Sequence, residues 1–170
     1  HSCRNRHCPR GQSRAQAGWR TARLRELLAV PYSHLVFTLP HELNALAAVH
    51  PRAVYEWLMR SAADTLSEFA ANPRWLGGQP AFSLVLHTWT QDLRRHLHVH
   101  ALMACGAIGP HGQWREPTRS PTFLFPVQAL SQVFRAKFLA TMKAHEDQGK
   151  LARDPQASPA ARRARRSALC

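Results

Sequence analysis

The sequence predicts an α+β domain in which helices cover one face of an antiparallel sheet. Stretches typical of strands and helices follow one another in the order strand, helix, strand, strand, helix. The link between the second and third strands is short enough for a hairpin, which makes that pair antiparallel. Helices in this pattern gather on one face of the sheet and leave the other face open to a ligand.

The three strands are predicted from apolar runs that end at turn residues. The first run is "SHLVFTLP", which stops at Pro40. The second is "AFSLVLHTWT" at 81–90, and the third is "HVHALMACGAIG" at 98–109. The "GPHG" turn at 109–112 then reverses the chain.

Three helices are predicted. Residues 15–28 form a basic helix that ends before Pro31, and residues 52–70 and 126–145 form two amphipathic helices. The apolar positions, at spacings of three and four, are Val54, Trp57, Leu58, Ala62, Leu66 and Phe69 in the first amphipathic helix and Leu130, Phe134, Phe138 and Met142 in the second.

Length and composition favour a globular protein. The 170 residues are 45% hydrophobic, which suits one compact domain with a small appendage. No apolar run approaches the roughly 20 residues that cross a bilayer, and the basic N-terminus does not resemble a signal peptide. We therefore expect a cytoplasmic protein. Since the first methionine is Met59, we also expect a piece of a longer reading frame.

The net charge of +13 lies at the two ends of the chain. Residues 1–25 hold seven arginines and no acid, residues 150–170 hold six bases and one acid, and residues 26–149 hold ten bases and nine acids. Basic ends around a neutral body indicate a nucleic-acid partner, with a solvated tail as the alternative for the C-terminal run. The candidate DNA-binding residues are Arg4, Arg6, Arg10, Arg14, Arg20, Arg94 and Arg95.

The stretch "RRHLHVHALM" at 94–103 carries the clearest functional signal. Side chains alternate along a strand, so His96, His98 and His100 share one face while the aliphatic residues between them share the other. Three adjacent imidazoles indicate a metal or phosphate site. The alternative is a half-exposed strand whose polar face is rich in histidine.

A second group of metal-binding residue types lies in "HSCRNRHCPRGQ" at the start of the chain. Cys3, His7 and Cys8 could bind zinc, but structural zinc sites use four ligands and commonly C-x2-C pairs. Gly11 leaves Cys8 without a partner at that spacing. A solvated basic arm is the alternative.

Four segments together resemble the rolling-circle insertion-sequence transposases of the IS-ninety-one group, which are two-tyrosine HUH enzymes. They are "HSCRNRHCP", "HLVFTLPHELN" from His34, "LHTWTQDLRRHLHVH" from Leu86 and "FRAKFL" from Phe134. They follow one another in order across residues 1–145. The resemblance implies an HUH endonuclease-like sheet preceded by a basic, degenerate zinc-binding arm.

The resemblance also implies a mechanism. His98, Val99 and His100 fill the HUH motif, which binds a divalent ion such as Mg²⁺ or Mn²⁺, with His96 or Gln91 as the third ligand. In these enzymes a tyrosine hydroxyl attacks single-stranded DNA and becomes joined to the 5′ phosphate. The partner is then DNA, preferably single-stranded element ends, with neither a membrane nor a small-molecule substrate.

The sequence departs from the resembled family at two points. The family's tyrosine pair follows the HUH strand, whereas the two tyrosines here, Tyr32 and Tyr55, precede it. Tyr55 has core residues as helix neighbours, so we predict a packing role and no catalytic residue. Gly11 stands where the family has a zinc-binding cysteine. We therefore expect a transposase fragment that binds metal and DNA and lacks its nucleophile.

The expected organisation is a remnant of a zinc-binding module at 1–12, a basic linker helix at 13–30, an incomplete HUH core at 31–148 and a basic, disordered tail at 149–170. Two other functions compete with this reading. One is a non-catalytic module that binds single-stranded nucleic acid through its basic ends, Trp89 and Trp114. The other is a zinc-dependent structural protein. A requirement for a divalent ion separates the enzyme from the binding module.

Overall fold

The computed structural model describes residues 9–89, 95–120 and 123–148, with side chains from residue 13 onward. The chain divides into two compact units, His1–Val30 and Pro31–Cys170. The first is built on one basic helix, and the second contains the sheet and the other helices. Cys3, His7, Cys8, Gln91 and the tail at 149–170 lie outside the described residues.

The helix of the first unit, α1, spans Pro9–Glu26. It begins earlier than predicted because proline suits the first turn of a helix, where its missing N–H has no partner to lose. Arg23 and Arg25 in the last turn complement the negative end of the helix dipole. Arg23 Nη2 donates to Glu26 Oε1 at 2.6 Å.

The second unit contains a four-stranded antiparallel sheet. The strands are β1 (Tyr32–Thr38), β2 (Gln79–Trp89), β3 (Arg95–Ile108) and β4 (Trp114–Arg115). The long strand β3 lies between β1 and β2, and β4 pairs with its C-terminal end. The sequence prediction missed the two residues of β4. It started β3 three residues late, at His98, because Arg95 and His96 are not residue types enriched in strands.

Three helices accompany the sheet in the described part of the second unit. They are α2 (Asn44–Val49), α3 (Pro51–Ala71) and α4 (Val127–Asp147), and a 3₁₀ turn at His41–Leu43 precedes α2. Both amphipathic helices are therefore confirmed, whereas α2 was not predicted. Lys137 Nζ on α4 lies 2.7 Å from Glu68 Oε2 on α3. Among the described residues, no helix is both long and apolar enough to cross a membrane.

The core lies between the sheet and α3 and α4. Every apolar position predicted for these two helices is buried. On β3 the residues that alternate with the histidines, Leu97, Val99 and Ala101, are buried as well. The histidines themselves are half-buried and point to the other face. The predicted fold class is thus correct, and the histidines lie on the face that the helices leave open.

Shortening a helix residue that faces the sheet should destabilise the second unit. Leu58 on α3 is fully buried, so Leu58→Ala should lower the free energy of unfolding by about 2–5 kcal/mol through lost burial and a residual cavity. Val127→Ala, at a position that is 79% exposed, is the matched control and should change it by less than about 0.5 kcal/mol. Urea denaturation followed by circular dichroism measures both. Equal effects would contradict the packing described above.

Candidate metal centre

The pairing of β2 with β3 brings a third histidine beside the HUH pair. His98 on β3 lies directly opposite His87 on β2. His100 lies opposite Val85, one step further along the same face. Residues that face each other across an antiparallel pair project to the same side of the sheet. His87 therefore shares the open face with His98 and His100.

The three imidazoles are close enough to share one ion. One ring nitrogen from each of His87, His98 and His100 lies within 4.8 Å of the other two. The ring centroids are 5.2 Å apart for His87 and His98, 4.4 Å for His87 and His100, and 4.9 Å for His98 and His100. An ion bound to imidazole at about 2.1 Å needs its ligand nitrogens roughly 3–4 Å apart. Small ring rotations would close this triad around an ion.

The hydrogen bond that His98 makes through Nδ1 leaves its Nε2 available to bind a metal ion. His98 Nδ1 lies 3.1 Å from the backbone oxygen of His96. A carbonyl oxygen can only accept, so Nδ1 carries the hydrogen and donates it. In a neutral ring the lone pair then sits on Nε2. This is the arrangement in which protein histidines bind metal ions.

His100 has a side-chain partner at the same position on its ring. His34 Nε2 lies 2.7 Å from His100 Nδ1, and the two rings stack with centroids 4.9 Å apart and planes 5° from parallel. Burial lowers the pKa of His100, and the neighbouring His87, His98 and His34 lower it further. The neutral imidazole, which is the form that binds a metal, is therefore favoured.

Of the residues predicted as metal ligands, the structure brings His98 and His100 together. His96 lies on the same face with its ring centroid 5.0 Å from that of His98, but it does not belong to the triad. Gln91, the other suggested third ligand, falls outside the described residues. Sequence reasoning missed His87, although hairpin pairing of "LHTW" with "RHLHVH" would have placed it opposite one of the histidines.

Neither tyrosine lies beside the triad. Tyr55 is half-buried on α3 and packs against the core, on the helix-covered side of the sheet. Tyr32 projects to the open face but pairs with Ala104, four residues along β3 from His100. At about 3.4 Å per residue this is a separation of roughly 14 Å along the strand.

The open face also offers an aromatic ring and a basic group to a ligand. Trp89 at the end of β2 is 53% exposed and pairs with Arg95 on β3. The guanidinium carbon of Arg95 lies 5.7 Å from the centroid of the Trp89 ring, a cation–π contact. Arg14 and Arg20 are exposed on α1 of the first unit. Of the other predicted DNA-binding residues, Arg4, Arg6 and Arg94 lie outside the described residues, as does the side chain of Arg10.

A cavity of about 500 Å³ lies elsewhere, between β1 and α4. Leu39, Phe134 and Phe138 contribute to its lining, together with Glu42 and Arg135. None of the triad histidines lines it. The triad is presented on an open surface, as suits a polymeric ligand that lies across a sheet, whereas small-molecule sites are usually enclosed.

Two protein-family models match the chain. The family described as "Putative transposase" matches residues 81–168, which is more than half of the chain and includes the whole triad. The chain belongs to this transposase family. The family described as "Transposase zinc-binding domain", of the IS91 type, matches residues 1–39. The resemblance found in the sequence is thereby confirmed.

Two curated relatives of this transposase chain carry the same kind of name. The chain is 46% identical over 151 residues to "Putative transposase y4qJ" of Sinorhizobium fredii, covering 88% of the chain and 37% of the relative. It is 35% identical over 114 residues to "Transposase for insertion sequence element IS801" of Pseudomonas savastanoi pv. phaseolicola, covering 67% and 27%. The chain thus spans about a third of the length of these relatives.

A solved structure shares the fold of the transposase chain. It is the structure of TrwC complexed with a 27-mer DNA comprising the recognition hairpin and the cleavage site. The TM-score is 0.50 at 20% sequence identity, over 65% of this chain and 44% of that chain. The antiparallel sheet with helices on one face is the HUH endonuclease-like fold that the sequence predicted.

The clustering of imidazoles should be visible in the titration of His100. Because protonated neighbours repel a charge on this ring, we expect its pKa below the ordinary 6.5 and closer to it in His87→Asn. Histidine ring signals followed by NMR as a function of pH give the midpoint. His111→Asn, in the exposed turn after β3, is the matched control and should leave the midpoint unchanged. A midpoint that does not move in His87→Asn would show that the two rings are not neighbours.

Proposed function

We propose that the chain is the metal-binding part of an HUH transposase that cleaves and transfers single strands of DNA. The observation that carries this proposal is the triad of His87, His98 and His100 on the open face of the sheet. An open face admits a DNA strand to the ion, which an enclosed site would not. The transposase family supports the substrate class.

The ligand set favours some ions over others. Three neutral imidazoles are nitrogen donors, which suit first-row transition ions, whereas Mg²⁺ prefers oxygen ligands and retains several waters. The residues present therefore fit Mn²⁺ better than Mg²⁺. When bound, the ion would polarise the scissile phosphate and stabilise negative charge on its oxygens. His87, His98 and His100 would hold the ion and would leave it accessible to a phosphate oxygen.

The proposed reaction needs a nucleophile in addition to the ion. A tyrosine hydroxyl attacks phosphorus and loses its proton, the bond from phosphorus to the 3′ oxygen breaks, and the departing oxygen takes up a proton. The products are a 5′ phosphotyrosine and a free 3′ hydroxyl. Tyr55 lies on the wrong side of the sheet and Tyr32 lies too far along β1. We infer that these 170 residues hold the ion and the strand but do not attack it.

Single-stranded DNA would contact both the metal centre and the surface beside it. Arg95 can pair with a phosphate, and the exposed ring of Trp89 offers a base a stacking surface. Val36, Val85 and Leu102 are also exposed around the triad and can contact sugars and bases. The arginines of α1 add a phosphate-binding surface that does not depend on sequence.

The same surface supports a second candidate function, a non-catalytic module that binds single-stranded nucleic acid. The pair of Trp89 and Arg95 is the observation that favours it, since stacking and phosphate contacts need no ion. The two functions differ in their response to a chelator. Binding of a short single strand that weakens when EDTA removes the ion supports the transposase site, whereas binding that EDTA leaves unchanged supports the module.

Zinc at the N-terminus is a separate part of the proposal. The match of residues 1–39 to a transposase zinc-binding domain supports a zinc-binding arm with Cys3, His7 and Cys8 as its ligands here. Three ligands leave a tetrahedral ion one short, and Gly11 does not provide the fourth. The proposed organisation of the chain is a zinc-binding arm at 1–12, a linker at 13–30, a core at 31–148 and a tail at 149–170.

Removing a triad histidine should abolish tight binding of Mn²⁺. His87→Ala, and the double change His98→Ala with His100→Ala, should each weaken binding at least about 100-fold, since even an outer partner of a ligand is typically worth 10–100-fold. His96→Ala is the matched control, because it removes a nearby imidazole and keeps the backbone oxygen that accepts from His98. Electron paramagnetic resonance of free Mn²⁺ measures the affinity. A loss in His96→Ala equal to that in His87→Ala would show that His96 is a ligand as well.

The chain should bind DNA without becoming joined to it. Incubation with Mn²⁺ and a labelled single strand that contains an element end, followed by denaturing electrophoresis, should show no label travelling with the protein. The reason is the distance of both tyrosines from the triad. Tyr32→Phe and Tyr55→Phe identify the residue if an adduct does form. An adduct that disappears in either variant would show that this chain carries its own nucleophile.

A further inference from the structure

We propose that His34 is a positioning residue of the metal centre, which accepts a hydrogen bond from His100 Nδ1 and so keeps His100 Nε2 free for the ion. This inference rests on the proposed function, because it assigns His34 a role toward the ion held by His87, His98 and His100. His34 lies on β1, the strand on the other side of β3 from His87.

The hydrogen bond itself limits which nitrogen of His100 can bind an ion. His100 Nδ1 lies 2.7 Å from His34 Nε2, so it is engaged and Nε2 is the nitrogen that remains. Two neutral imidazoles in contact share one hydrogen between the facing nitrogens. If His100 donates it, Nε2 of His100 has its lone pair. If His34 donates it, Nε2 of His100 carries a hydrogen and cannot bind the ion.

The two HUH histidines are therefore held in the same way by different partners. His98 donates through Nδ1 to the backbone oxygen of His96, which can only accept. His100 has a side chain in the corresponding place, and that side chain can either donate or accept. The tautomer of His98 is fixed by its own strand, whereas the tautomer of His100 depends on β1. The ring orientation depends on β1 as well, since the two rings stack 5° from parallel.

Direct ligation by His34 accounts less well for the geometry. The group of ring nitrogens close enough to share an ion consists of His87, His98 and His100, without His34. His34 Nε2 is moreover already engaged with His100. A partner that fixes the tautomer and orientation of a ligand is the usual companion of metal-binding histidines, and it is commonly a carbonyl or carboxylate oxygen.

The experiment compares two substitutions, each of which keeps one property of His34 and removes the other. His34→Phe keeps a flat ring for stacking but removes the acceptor, whereas His34→Gln keeps an acceptor oxygen and removes the ring. His111→Asn, exposed in the turn after β3, is the control. The first measurement is the side-chain ¹⁵N spectrum of His100 without metal at a pH above its pKa. The second is titration with Mn²⁺.

We expect the Nδ1–H tautomer of His100 in the wild type, in His34→Gln and in the control, and a shift toward the Nε2–H tautomer in His34→Phe. The affinity for Mn²⁺ should fall about 10-fold in His34→Phe, at the low end of the usual range because the contact is exposed. It should stay within about 3-fold of the wild type in His34→Gln.

An unchanged tautomer in His34→Phe would overturn the proposal. The proposal would also be overturned if the affinity for Mn²⁺ fell equally in His34→Phe and His34→Gln while the tautomer of His100 stayed unchanged. That result would indicate that His34 binds the ion directly. A wild type that binds no Mn²⁺ would refute the proposed function instead, while the tautomer comparison would still decide whether His34 sets the state of His100.

Discussion

The candidate site depends on the position of β3 between two antiparallel neighbours. Its register with β2 sets His98 opposite His87, and its register with β1 sets His100 opposite Val36, next to His34. Because side chains alternate along a strand, a slip of one residue would turn the histidines into the core and expose Leu97, Val99 and Ala101. The burial of these aliphatic residues against the helices thus fixes the register on which the triad depends.

The same arrangement makes the open face sensitive to pH. Five imidazoles from three strands lie side by side, with neighbouring centroids 4.4–5.2 Å apart. The lowered pKa of His100 means that the unfolded chain binds its proton at a higher pH than the folded protein. The contribution of His100 to the free energy of unfolding therefore decreases as pH falls below about 6.5. The decrease is complete below the pKa of His100 in the folded protein. Binding of an ion should oppose this loss, because it requires the neutral ring.

The sheet separates the two tasks of the domain. The face against α3 and α4 is apolar and holds the structure together, while the opposite face carries the imidazoles and the pair of Trp89 and Arg95. A ligand can therefore bind to or leave the open face without disturbing the core. Tyr55 shows the limit of this separation, since its position in the helix layer keeps it from the chemistry on the other side.

Sequence alone determined the fold class, both amphipathic helices and the placement of His98 and His100 on one face of their strand. These features follow from local periodicity, which residues three or four apart on a helix and two apart on a strand display without reference to the rest of the chain. The four transposase-like segments also indicated the transposase family.

Tertiary structure decided the third member of the triad and the partner of His100. His87 lies 11 residues before His98 and His34 lies 66 before His100, and only the pairing of β2 and β1 with β3 brings them together. His96, which the sequence suggested as a third ligand, lies four residues from His100 along β3, roughly 14 Å at 3.4 Å per residue. His87 lies directly opposite His98 and next to His100 across the β2–β3 pair, so it reaches both.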